Sequence, residues 1–162
     1  MVAEPVPAHH RLGYAPDEVV TSEPTRSTRL KWVVVVDEAL SAGRAANAVA
    51  CVAATTGAAV EGLIAHGGPD ASGDEHPGLP WAGCTILAAT AEALAATRAA
   101  AAVADGVLVV DMPESAQSHR VYDDYLGELA ETEPAKLACS AVSIIGPRNR
   151  VGKLVRKLAL LT

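Results

Sequence analysis

Lys31-Trp32-Val33-Val34-Val35-Val36-Asp37, followed after a short turn by Ser41-Ala42-Gly43-Arg44-Ala45-Ala46-Asn47-Ala48-Val49-Ala50, decides how this chain folds. Trp32 to Val36 is an unbroken apolar run dominated by β-branched side chains, the signature of a strand covered on both faces. Asp37 ends the run, and Ser41-Ala42-Gly43 makes the turn. From Arg44 to Thr56 nearly every side chain is small, which predicts a helix able to lie close against the sheet, with Gly57 as its left-handed stop. The first-turn amides of such a helix can reach a ligand beyond the strand end.

Working outward, Thr85-Ile86-Leu87-Ala88-Ala89 reads as the next strand. Thr90 is placed to cap a helix running to about Ala104, which Asp105-Gly106 stops. Val107 to Val110 is a second all-apolar run, read as another interior parallel strand and hence the end of a right-handed crossover. Asp111-Met112-Pro113-Glu114 opens a helix to about Thr132, in which Val121, Tyr122, Tyr125, Leu126 and Leu129 recur three and four apart as a buried face. Leu137 to Ile145 is the last strand, and Gly146-Pro147-Arg148-Asn149 turns into a final helix from about Arg150 to Leu158. Between the first helix and the Thr85 strand, Val60, Leu63 and Ile64 suggest a short strand. His66 to Gly73 is turn chemistry, a solvated hairpin tip rather than a metal site. Residues 1–28, interrupted by four prolines, read as a disordered tail, leaving 29–162 as one α/β domain.

Composition narrows the function classes. Half of the 162 residues are apolar, yet there is no Phe and only five aromatics, so Ala, Val and Leu must build the core. A formal charge of −6 argues against a protein that coats nucleic acid by bulk electrostatics. Cys51, Cys84 and Cys139 are widely spaced with no metal-binding pair, and are expected as buried thiols in a reducing, cytoplasmic setting. No apolar segment reaches membrane-spanning length, and the start lacks the layout of a signal peptide.

Candidate chemistry follows from the strand ends, where ligands gather in open sheets. Asp37 and Asp111 sit there, and Ser115, Gln117 and His119 follow Asp111 within two turns. Aspartate, then proline, then glutamate is also the pattern of a capped helix start. Arg148, Arg150, Lys153, Arg156 and Lys157 hold five of the thirteen basic residues. A helix start flanked by arginines can seat phosphate or carboxylate, whereas Arg156 and Lys157 complement a helix dipole. No glycine-rich phosphate loop follows the first strand, which excludes nucleotide-dependent oxidoreductases and kinases.

The unit from Lys31 to Thr56, the Asp-x-x-x-Ser at 111–115, and Gly146-Pro147 leading to Val151-Gly152-Lys153-Leu154 together resemble the type II peptidyl-tRNA hydrolase superfamily. Asp70-Ala71-Ser72-Gly73, His76-Pro77-Gly78 and Ala46-Asn47-Ala48 are similar to one branch of it, domain-of-unknown-function family 2000. The resemblance spans about Arg29 to Leu161. It implies a three-layer α/β sandwich, a four-stranded mixed sheet with helices on both faces. Its hydrolases cleave the ester joining a peptide to tRNA; Asp111 then matches their aspartate, Ser115 their threonine position, and Gln117 lies near their glutamine. Their lysine-rich turn is replaced by Ala42-Gly43-Arg44-Ala45-Ala46, and an arginine does not deprotonate to act as a base.

The catalytic candidates are therefore Asp111, Ser115 and Arg44, with Asp37, Asn47, Gln117 and Arg148 as ligand-binding candidates. The leading expectation is a small anionic ligand or RNA end held at the strand carboxyl ends. The alternatives are an ester hydrolase, in which Asp111 orients or deprotonates water and Arg44 stabilises the oxyanion, and a non-catalytic scaffold. No cofactor, metal or membrane partner is implied, and a homodimer is compatible with the pattern. Arg44, Asn47, Asp111 and Ser115 are expected to line one concavity; Arg148 joins them only if the last strand runs the right way.

Overall fold

The computed structural model describes residues 12–162. In chain order the elements are β1 (Leu30–Asp37), α1 (Ala42–Ala59), β2 (Gly68–Pro69), β3 (Glu75–His76), β4 (Cys84–Ala89), α2 (Ala91–Ala102), β5 (Leu108–Pro113), α3 (Glu114–Ser118), α4 (Tyr122–Glu131), β6 (Cys139–Pro147), α5 (Arg148–Val155) and β7 (Ala159–Leu160). The main sheet has five strands in the order β5-β6-β1-β4-β7, not four, because the chain returns after α5 to add β7 against β4. β1 and β4 are parallel, and β6 runs antiparallel to both β1 and β5. The expected interior parallel strand at 107–110 is thus an edge strand, and β6 occupies the interior place beside β1.

β1 organises both layers. Leu30, Trp32, Val34 and Val36 pack with Ala48 and Val52 of α1, while Val33 and Val35 pack with Leu94 and Ala101 of α2 and Val151 and Val155 of α5. The four β1 valines are fully buried, worth about 1.5–3 kcal/mol apiece in burial. Inside the α1 layer, Trp32 Nε1 donates to Ser143 Oγ at 2.8 Å, Ser143 Oγ lies 2.7 Å from Thr56 Oγ1, and Thr56 Oγ1 donates to the Val52 carbonyl at 2.7 Å.

Local expectations fared unevenly. Thr90 caps α2 by accepting from the Ala93 amide, and Gly106 terminates the segment beyond it at φ 71°. Gly57 is not a stop, since α1 runs on to Ala59 and ends in extended backbone at Val60. No strand forms at Val60–Ile64; Leu63 is buried and Ile64 makes only an isolated bridge to Pro80. The tip at 66–76 is the β2–β3 hairpin, where Asp70 Oδ1 accepts from the Ser72 amide and hydroxyl and from the Asp74 amide. The single helix expected to Thr132 is two, because β5 extends through Pro113 and the chain breaks at His119 between α3 and α4. The expected buried face of α4 is largely open, with Val121, Tyr122 and Leu126 exposed, because among the described residues α3 is the main element α4 packs against. Of the three cysteines only Cys139 is buried; Cys51 and Cys84 are exposed.

The expected tail also needs correction over 12–28; residues 1–11 lie outside the described residues. Tyr14 is 4% exposed and stacks obliquely on Trp81 with ring centroids 5.0 Å apart. Gly13 bridges Glu61, and a Cβ there would lie 2.6 Å from the Glu61 carbonyl, so only glycine permits this approach. Arg29 joins Glu18 at 2.7 Å and donates to the Gly13 carbonyl, which fastens the segment to the start of β1. A short segment with few apolar residues can still dock when one aromatic finds a pocket and its backbone finds partners.

Candidate functional site

The carboxyl ends of β1, β4 and β5 open on one edge of the sheet, and α1 begins there. Gln117, on α3, reaches across to α1. Its Oε1 accepts from Arg44 Nε at 3.2 Å and from Ser140 Oγ at 3.0 Å. Its Nε2 donates to the Arg44 carbonyl at 2.9 Å and to Asn47 Oδ1 at 3.0 Å. Two acceptances and two donations satisfy the amide completely. Gln117 is therefore a clamp that fixes the first turn of α1, not a free ligand contact.

Ser140 reaches this clamp because of a bulge. Met112 pairs with Ala141 and Pro113 with Cys139, so Ser140 is the extra residue. Without the bulge, alternation would turn it to the α2 side; the bulge re-aims it toward α1 and turns Cys139 to the α2 face.

What the clamp leaves outward is a row of donors. Asn47 Oδ1 and the Arg44 carbonyl are occupied, while the Asn47 amide nitrogen and both terminal guanidinium nitrogens of Arg44 have no partner among the described residues. Arg44 makes no ion pair there either. Ser41 precedes α1 without a side-chain cap bond, and a Cβ on Gly43 would meet nothing within 4 Å. The first-turn amides are thus open to solvent beside a cation.

Asp111 does not join this group. It alternates with Val109 on the α2 face, where Arg98 donates to its carboxylate at 2.5 Å with both side chains about a quarter exposed. Asp111 and Asn47 share an edge of the sheet but stand on opposite faces. Asp111 is also no helix cap, since Pro113 precedes α3 and Asp111 belongs to β5. Beside it, burial pushes the Cys139 thiol up to about 11, and the Asp111 charge adds to the rise.

The other candidates scatter. Ser115 lines a separate cleft of about 460 Å³ with Glu114, Glu128, Glu131 and Glu133, an acidic environment away from Arg44. Asp37 is buried and folds back on itself, Oδ1 accepting from the Ala39 amide at 3.0 Å to shape the β1–α1 turn. Arg148 lies at the opposite edge, as the antiparallel course of β6 dictates. Its guanidinium holds the Thr28 carbonyl at 2.7 and 2.9 Å and the Thr28 hydroxyl at 3.1 Å.

A cleft of about 360 Å³ lies on the α1 side between α1, β5 and the α3–α4 corner, lined by Cys51, Thr55, Met112, His119, Tyr122 and Tyr125 among others, and Asp111 borders it from edge strand β5 while paired with Arg98. His119 Nδ1 is 2.9 Å from the Ser115 carbonyl and its Nε2 3.3 Å from Glu128. Sequence reasoning missed Arg98, Ser140 and Cys51 as site neighbours. Arg98 was findable, because continuing the β5 alternation two residues past Val109 places Asp111 on the face α2 covers. Among the described residues no group of His, Cys, Asp and Glu gathers to hold a metal, and no helix is long and apolar enough to cross a membrane.

No curated protein matches the chain. Among solved structures, a protein of unknown function, Atu0240 from Agrobacterium tumefaciens strain C58, shares the fold with a TM-score of 0.70 at 16% identity, over 83% of this chain and 98% of that one. The model of the family described as "Protein of unknown function (DUF2000)" matches residues 30–162, from the first residue of β1 to the end of the chain. By that match, the chain belongs to the DUF2000 family.

Proposed function

We propose that this protein binds a small anionic ligand, or the phosphate of an RNA end, at the first turn of α1. The observation that carries the reading is the donor-only edge left by the Gln117 clamp. The clamp consumes the acceptors and leaves Arg44 terminal nitrogens, the Asn47 amide and the open helix amides facing out. An anion with two or more oxygens, phosphate above all, matches such a set. The hydrolase alternative is not adopted. It needs Asp111 and Arg44 to act on one ester, and Asp111 is engaged by Arg98 on the other face.

The test is titration calorimetry with inorganic phosphate, a 5′-mononucleotide and a 5′-phosphorylated trinucleotide. Arg44→Ala should weaken every phosphorylated probe about tenfold or more, since a charge-assisted contact is worth about 1.5–3 kcal/mol. Gln117→Ala should weaken them less, by freeing Arg44 to wander. The trinucleotide binding more tightly than the mononucleotide favours the RNA end. Binding that ignores Arg44→Ala, or no binding at 50 mM salt, would overturn the reading.

A further inference from the structure

We propose that a second cleft, at the opposite edge of the sheet between β1 and α5, is a phosphate-binding site independent of the α1 turn. Its lining is Lys31, Arg148, Asn149, Gly152, Lys153 and Arg156, around a shallow, wide-open hollow of about 520 Å³. Four of these six residues are cations and none is a carboxylate. In a chain of net charge −6, that segregation is local and pronounced.

The grouping is made by the fold rather than by a basic run in sequence. Lys31 sits in β1 opposite Gly146 of β6, on the face that α5 covers. Asn149, Gly152, Lys153 and Arg156 recur three and four apart, so they line one side of α5. Lys31 Nζ reaches that side, coming 4.0 Å from the place a Gly152 Cβ would take. Lys31, Lys153 and Arg156 make no ion pair or side-chain hydrogen bond among the described residues. Arg148 is spent on the Thr28 and Leu30 carbonyls, but those neutral acceptors leave its charge uncompensated. Lys153 and Arg156 complement the carboxyl end of α5, a reading that accounts for them and not for Lys31 or Arg148.

Unpaired like charges converging from two elements repel one another, and a multivalent anion between them removes that repulsion. The cleft offers no aromatic side chain on which a base could stack and no acceptor-rich wall to read one. It therefore recognises phosphate oxygens irrespective of what carries them. Pyrophosphate and a phosphodiester backbone are the two sources of that chemistry, and they differ in how many cations they span.

The decisive experiment uses the Arg44→Ala protein, so that the α1 turn contributes nothing. Pyrophosphate is titrated by calorimetry, and a fluorescein-labelled 12-mer of thymidylate by anisotropy, between 50 and 200 mM salt. Each is repeated with Lys31→Gln and Lys153→Gln added. The pair of substitutions should weaken binding about tenfold or more for each cation removed, with the melting temperature unchanged. Tighter binding of the oligonucleotide, with a salt slope that the two substitutions flatten by about 1.4, assigns the cleft to a nucleic-acid backbone. Tighter binding of pyrophosphate assigns it to a small phosphorylated ligand. Failure of both probes to bind at 50 mM salt, or affinities untouched by the substitutions, would overturn the proposal without bearing on the α1 turn.

Discussion

Replacing Ser143 with alanine should destabilise this protein out of proportion to the loss of one oxygen. Thr56 has a single hydroxyl proton, and the Val52 carbonyl at 2.7 Å claims it. Ser143 must then donate to Thr56 and accept from the Trp32 indole, so the chain of three bonds has one direction only. Trp32, Thr56 and Ser143 are all at most 5% exposed, so water cannot stand in. Alanine strands the indole N–H, at about 1–3 kcal/mol, and removes the Ser143–Thr56 bond, at about 0.5–1.5 kcal/mol net. The sum is about 1.5–4.5 kcal/mol. At about 2–4 °C per kcal/mol for a chain of this size, the melting temperature should fall about 3–18 °C. Thr56→Val costs less, since Ser143 keeps its indole partner. The double variant should cost less than the two singles together, because both singles delete the same bond. Urea and calorimetric melts of the four proteins make the cycle. A Ser143→Ala shift under about 2 °C, or strict additivity, would refute the directional chain.

Three further outcomes are expected. Tyr14 is buried with its hydroxyl unpartnered among the described residues, so Tyr14→Phe should leave the melting temperature unchanged or slightly raised. Tyr14→Ala should cost about 3 kcal/mol, and an insensitive melt would show that residues 12–28 do not dock. The Arg29 hydrogen bond holds the Glu18 carboxyl down at about 2, against an ordinary 4.5. Its contribution to docking is therefore complete above pH 4.5 and lost as pH falls toward 2. Hydrogen exchange across residues 12–28 should report that loss, and Glu18→Gln should abolish the step. Iodoacetamide should label exposed Cys51 first and Cys139 only as pH nears 11, with Asp111→Asn moving the Cys139 profile to lower pH; an unmoved profile would separate Asp111 from that thiol.

The legible parts of this fold were those written in local pattern. The Trp32–Val36 run, the small-faced helix behind it and the Thr90 cap all state their structure within a few residues. Strand order was not legible, because an all-apolar run says that both faces are covered and nothing about which strand lies alongside. β6 therefore took the interior place that Val107–Val110 had been expected to share. The α4 stripe misled for a related reason: periodicity identifies an apolar face, but only an opposing element buries it. In the candidate site, Arg44 and Asn47 stand together on the first turns of α1, as their nearness to the first strand end suggested, and Gln117, which the sequence tied only to Asp111, joins them from α3. Asp111 departs because β5 continues through Pro113, and in a strand the face a residue takes is set by counting, not by nearness.

The place of β1 has a consequence for how the protein is made. The strand is complete by Asp37, yet its antiparallel neighbour pairs Trp32 with Ile145 and Lys31 with Gly146. At about 5–20 residues per second, a ribosome takes roughly 5–25 s to supply that partner. Throughout that interval the five-residue run from Trp32 to Val36, uncharged and rich in β-branched side chains, has only β4 and the helices of the amino-terminal half to shelter it, the kind of segment that seeks other chains when left unpaired. Nascent chains halted before Cys139 should therefore bind holding chaperones through β1, and chains released after Pro147 should let them go.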